Sequence, residues 1–183
     1  MKGVIFCEFI ELVESTFGLE VVDDILRIAA PANGGAYTRV GTYDHADLVD
    51  MSVALSGRVQ IPLAELLETF GRALYSRLAD SRPDLTADTT VIDILERLDG
   101  VIHADVRKLY PEAELPRFDC RRIGEDTFRI EYRSDRPFAR VAYGLILGCG
   151  ERLAQRLVVE IVSESGDGTA ACFTVTVLDE VQV

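Results

Sequence analysis

The stretch VIHADVRKLYPEAELPRFDCRRI, residues 101–123, changes its period halfway along, and that change decides the fold. Before it, Val91, Leu95, Leu98, Ile102, Val106 and Leu109 recur at helical spacing, and Pro111 supplies a stop. One long helix is therefore expected from about Thr89 to Tyr110. After Pro116 the spacing drops to two. RFDCRRI (117–123) and DTFRIEYRS (126–134) then predict strands around the turn Gly124-Glu125-Asp126.

Working outward, the N-terminal side is helical. Val4, Ile5, Phe9, Leu12, Val13 and Phe17 form an apolar stripe that Gly18 ends, and LEVVDDILRIAA gives a second helix before the turn residues PANGG. HADLVDMSVALSGR and PLAELLETFGRALYSRLAD give two more, the latter with Pro62 in its first turn. On the C-terminal side a helical FARVAYGLILGCGERLAQR precedes LVVEIVSES and TAACFTVTVL, a hairpin around Gly-Asp-Gly. Helices first, then an antiparallel sheet with one inserted helix, is an α+β arrangement; no βαβ alternation suggests a Rossmann or P-loop fold. With no repeat or long linker, residues 1–183 are expected to form one domain, divided into a helical part, 1–62, and a remainder, 63–183, that contains the sheet.

Nineteen Lys and Arg against 31 Asp and Glu give a net charge of −12, which repels phosphate backbones and anionic lipid, so neither nucleic acid nor membrane is an expected partner. Glu8, Glu11 and Glu14 interrupt the apolar N-terminal run that a signal peptide needs, and no later run is long enough to span a membrane. A cytoplasmic protein is expected. The four cysteines, Cys7, Cys120, Cys149 and Cys172, contain no C-x-x-C pair and are expected to be free thiols.

In the second strand Phe128, Ile130, Tyr132, Ser134 and Arg136 share one face by alternation. The row begins apolar and ends in two hydroxyls and a guanidinium. Either the strand simply leaves the core there, or the three donors rim a cavity that receives an anion, with arginine offering a planar fork to a carboxylate.

Tyr132, Ser134 and Arg136 spell Y-x-S-x-R, and His103 lies about thirty residues earlier in IHADVRKLYP. Together with MKGVIF at the start, GRALY (71–75), LPRF (115–118) and YGLILG (143–148), the chain resembles the heme nitric oxide/oxygen-binding (H-NOX) family along essentially its whole length. The resemblance implies heme b as cofactor. His103 would be its proximal iron ligand, with Gly100 leaving space beside the imidazole, and Tyr132, Ser134 and Arg136 would hold the propionates. Pro116 would press the porphyrin out of plane, and residues 1–62 would form the distal part over the cradle made by 63–183. Taken alone, a single histidine on a helix is more often a surface or core residue than a ligand, and Pro116 is equally a plain connector. His45 has no motif around it and is expected at the surface.

The family's distal face maps onto Ile5, Phe9, Leu74, Leu78, Val141 and Leu145, all apolar. Relatives that hold dioxygen carry tyrosine at the position of Val141. Bound dioxygen needs a hydrogen-bond donor, whereas nitric oxide and carbon monoxide do not. The resemblance thus implies a nitric oxide and carbon monoxide sensor that excludes dioxygen. Nitric oxide would release His103, let the heme flatten against Pro116 and shift the proximal helix. With no output segment attached, signalling is expected in trans, to a sensor histidine kinase or a cyclic-di-GMP enzyme. The zinc site of some relatives is not expected, because no histidine follows His103. The competing readings are a heme-free interaction module, a dioxygen or redox sensor using heme and cysteines such as Cys149 and Cys172, and a heme enzyme. The last is disfavoured by the lack of a distal acid/base pair.

Overall fold

Helix α1 (Gly3–Phe17) buries Phe6, Phe9 and Val13, three positions on one side of its axis. The computed structural model that places them describes residues 1–80, 89–109, 111–112 and 114–178. Val4, Ile5, Leu12 and Phe17, expected on the same stripe, are half-buried, whereas Phe6 is completely enclosed. The cause is the connection between the second and third helices, which folds back over α1. Tyr37 stacks on Phe6 with ring centroids 4.5 Å apart, and Tyr43 packs edge-on at 5.7 Å. Helices α2 (Leu19–Ala29), α3 (His45–Val59) and α4 (Leu63–Asp80) complete this half. The side chain of Asp44 caps α3 by accepting from the Ala46 N–H at 3.0 Å. Ile25, Met51, Leu55, Phe70 and Leu74 fill the common core of α1–α4.

The predicted long helix is present in interrupted form. Helix α5 (Val91–Arg97) opens with a capping box in which the Thr90 hydroxyl accepts from the Asp93 N–H and the Asp93 carboxylate accepts from the Thr90 N–H. Leu98–Ile102 then forms a π-helical turn, with the His103 N–H bonded to the Leu98 carbonyl, before α6 (His103–Leu109) resumes. A π-turn inserts one residue into the helical ladder and so turns everything after it by about 100°. Val91, Leu95 and Ile102 remain buried as expected, Leu98 and Val106 are half-buried, and Ile94 joins the core. Tyr110 and the side chain of Leu109 lie outside the described residues.

Strands β1 (Arg117–Arg122) and β2 (Thr127–Arg133) form the first hairpin, helix α7 (Ala139–Arg152) follows, and β3 (Arg156–Glu164) and β4 (Ala170–Leu178) form the second. The sheet is antiparallel throughout, in the order β1-β2-β4-β3. Its inner rows, including Phe128, Ile130, Tyr132, Phe173 and Val175, close a second core against α5 and α7. The architecture is α+β, a helical half followed by an antiparallel sheet with an inserted helix. No described helix is long and apolar enough to cross a membrane.

Helices α4 and α7 join the two halves backbone to backbone. A Cβ on Gly71 would meet the Val141 carbonyl oxygen, and one on Gly144 would meet the Glu68 carbonyl oxygen. Arg140 fastens the seam by bridging Glu68 at 2.8 Å and Glu164 at 2.6 Å. Because the obstacle at Gly144 is backbone, it cannot rotate away. Gly144→Ala is expected to destabilise the fold by about 2–3 kcal/mol, at the upper end of overpacking costs. Urea unfolding measures this, and an unchanged midpoint would mean that the seam opens freely.

Candidate functional site

The row that turns polar is in strand only as far as Tyr132. Tyr132 is buried at the end of β2, Ser134 is half-buried just beyond it, and Arg136 is buried where the chain turns toward α7. The three meet one another. The Ser134 hydroxyl accepts from the Arg136 backbone N–H at 3.1 Å. Burial pushes the Tyr132 phenol above its ordinary range, opposed by hydrogen bonding with Ser134, by the Arg136 charge and by the Phe138 backbone. The Arg136 guanidinium, its side chain 11% exposed, donates to the Glu114 carbonyl oxygen at 2.8 Å and pairs with the Glu114 carboxylate at 2.6 Å. Arg136, buried and holding two acceptors, is therefore no solvated strand end.

Glu114 is a partner that sequence spacing does not reveal. It sits 79% exposed in the connection from α6 to β1, 22 residues before Arg136. Its neighbour Glu112 is held by Lys2 at 3.1 Å, so this connection is tied to the start of α1 as well as to the β2–α7 corner.

His103 stands half-buried at the first position of α6, directly after the π-turn. Its ring lies 5.6 Å from that of Phe118 on β1, which in turn lies 5.4 Å from Tyr132 on β2. The imidazole is thus linked to the donor cluster through one intervening ring, that of Phe118. Pro116, half-buried, leads into β1, and Gly100 faces open space, with nothing within 4 Å of where a Cβ would lie.

The six distal candidates come together in the helical core. Phe9, Leu74 and Val141 are buried members of it, and Ile5, Leu78 and Leu145 pack against it. Ile102 and Tyr132 belong to the sheet core, with Phe118 against it, and Leu145 touches both. The five described tyrosine hydroxyls are all committed elsewhere. Tyr37 donates to Asp47, Tyr43 bonds Thr38, Tyr75 bonds the Cys149 thiol, Tyr132 bonds Ser134, and Tyr143 donates to the Val159 carbonyl at 3.4 Å.

A heme fits this donor set. It calls for one neutral nitrogen donor for iron, apolar contact on the porphyrin face and cationic or hydroxyl donors for two propionates. His103, the six distal residues and the Tyr132/Ser134/Arg136 cluster are groups of those three kinds. His45, by contrast, lies on α3 beside Asp44 at 3.4 Å, more than a third exposed. Burial pushes the Cys149 thiol up to about 11, which leaves it protonated and unreactive near neutral pH.

No curated protein sequence matches the chain. The family model described as haem-NO-binding matches residues 2–161. Among solved structures, the chain is similar to the unliganded Fe(II) H-NOX protein of K. algicida, at 32% identity and TM-score 0.93 over 100% of both chains. It is also similar to the H-NOX protein of Shewanella woodyi, solved bound to IWP-051 in its Fe(II)CO state, at 36% identity and TM-score 0.81 over 100% of this chain and 99% of that one. The S. oneidensis H-NOX protein in its Fe(II)NO state shares the fold, with TM-score 0.89 at 23% identity, over 98% of this chain and 100% of that one. With the family model matching most of the chain, and relatives above 30% identity matching all of it, the chain belongs to the haem-NO-binding, or H-NOX, family of heme-based gas sensors.

Proposed function

We propose that residues 1–183 act as one heme b domain that binds nitric oxide and carbon monoxide, excludes dioxygen and passes the signal to a separate protein. The observation that carries this reading is the pairing of a half-buried His103 with an apolar distal set toward which no described tyrosine hydroxyl is directed. Bound heme would supply an iron that takes an imidazole and a diatomic gas, and His103 is the residue that would hold that iron. The chain's own part is to supply the first and shape the space for the second.

The His103 N–H is bonded to the Leu98 carbonyl in the π-turn, and the connection beyond α6 is tied to Lys2 and Arg136 through Glu112 and Glu114. Release of the imidazole would free α6 and that connection to reposition, and Lys2 and Arg136, through Glu112 and Glu114, would carry the movement to α1 and to the β2–α7 corner. Residues 1–62 would then shift as the distal part relative to 63–183. Pro116, half-buried between α6 and β1, would press on the cofactor. The receiver we assign is a sensor histidine kinase or a cyclic-di-GMP enzyme, acting in the cytoplasm. Absorption spectra of the purified ferrous protein with and without nitric oxide test this reading. No Soret band would make the chain a heme-free interaction module, and peroxide turnover would make it an enzyme.

Arg136→Ala tests the propionate role. Losing the guanidinium leaves anionic charge unpaired in a partly buried rim, at a cost of about 2 kcal/mol, which corresponds to roughly thirtyfold faster heme loss. Transfer of heme to an excess of apomyoglobin measures that rate. Equal rates for variant and parent would confine Arg136 to its bond with Glu114.

A further inference from the structure

The outer face of the sheet places like charges directly opposite one another. β1 and β2 register Arg117 against Arg133, Asp119 against Glu131 and Arg121 against Arg129, all on the side away from the core. Opposed residues on an antiparallel pair have Cβ atoms about 4.5–5.5 Å apart, and like charges there destabilise the sheet. The carboxylates relieve part of the repulsion. Arg121 pairs with Asp119 at 2.5 Å, and Glu131 lies 4.0 Å from Arg129 and 3.9 Å from Arg133. Two carboxylates among four guanidiniums still leave two positive charges in excess, and Arg117 makes no ion pair among the described residues. This occurs on a chain whose net charge is −12.

Beside the arginines the surface drops into a groove of about 410 Å³. Arg129, Glu131 and Arg133 stand on one side of it and Ser163, Glu164 and Ser165 on the other, with Glu164 already paired to Arg140 and Glu131 lying between the two arginines. Ala170 and Cys172, which face Arg133 and Glu131 across the β2–β4 pairing, form a low floor.

We infer that this face docks an acidic segment of a partner protein. The segment runs extended over Ala170 and Cys172 and directs its carboxylates at the arginine pairs. The two pairs lie four residues apart along their strands, about 13 Å at 3.3 Å per residue, which matches acidic residues at i and i+4 of an extended segment. Guanidinium forks bind carboxylates in two-point geometry, and a bound carboxylate removes the repulsion within each arginine pair. A short segment is favoured over a nucleic acid or a membrane, because an extended polyanion would also meet the negative remainder of the surface.

The test uses the full chain as purified and a fluorescent peptide with glutamates at i and i+4 among serines and threonines. Saturable binding that weakens with salt is expected, about tenfold weaker in R129A/R133A and unchanged in R152A, whose arginine pairs with Asp80 at the far end of α7. In a second measurement, R117Q should raise the unfolding temperature by about 1–3 °C by removing one like-charge pair. Full peptide affinity in R129A/R133A overturns the inference. So does an unchanged or lower unfolding temperature in R117Q, which would give the arginines a structural role. Capture of the protein by phosphatidylserine vesicles, with no peptide binding, would assign the face to lipid instead.

Discussion

His103→Gly is expected to leave the protein without stably bound heme. The chain has one other histidine, His45, at the start of α3 beside Asp44 and more than a third exposed. No substitute imidazole therefore reaches the same place. Loss of an outer-sphere partner alone lowers metal affinity by roughly 10–100-fold, and removing the ligand itself exceeds that. The Tyr132/Ser134/Arg136 cluster and the apolar faces stay intact in the variant, so the gap left by the imidazole is shaped to accept free imidazole. Heme per chain, measured as pyridine hemochrome, should fall to near zero and recover when imidazole is supplied during heme loading. Parent-level heme and an unchanged Soret band would remove His103 from the site and with it the switch proposed for α6.

What the sequence makes legible here follows the range of the forces involved. Period changes are local, so the passage from α6 to β1 at Pro116 and the inward row Phe128, Ile130, Tyr132 can be derived from spacing alone. Phe6 escapes the same reasoning because its burial depends on Tyr37 and Tyr43, thirty or more residues away, folding back over α1. The π-turn at Leu98–Ile102 leaves no mark on an apolar stripe that fits a regular helix almost as well. Its position immediately before His103 sets the direction in which the imidazole leaves the helix, which makes it the feature of the candidate site least visible in the sequence. Arg136 is recognisable by motif, yet its bond to Glu114 is a long-range pairing of an exposed loop carboxylate, and loop carboxylates are common enough that none stands out. Likewise, the like-charge ladder of β1 and β2 appears only once the register is known.

Ferrous protein exposed to air is expected to form no stable oxy complex while binding nitric oxide and carbon monoxide readily. Dioxygen on ferrous heme gathers negative charge and depends on a donor to keep it, whereas the other two gases do not. Tyr143 is the nearest rescue in sequence to Val141, but two residues turn a side chain by about 200° around a helix. Its ring accordingly lies 6.1 Å from Phe173 and its hydroxyl reaches the Val159 carbonyl, both on the sheet side, while Val141 is buried in the helical core. Installing a donor should therefore require position 141 itself. Val141→Tyr adds one neutral hydrogen bond worth about 0.5–1.5 kcal/mol, or roughly two- to tenfold in dioxygen affinity. Against this, a ring in place of an isopropyl group beside Phe9 and Leu74 costs about 1–3 kcal/mol of overpacking. The single variant is thus expected to retain dioxygen weakly, and Leu74→Asn added to it should relieve the crowding and orient the phenol, giving the larger gain. Absorption spectra in air, followed over time, separate the cases. A stable oxy spectrum in the parent protein would show that another donor reaches the ligand, and the sensor would then be assigned to dioxygen.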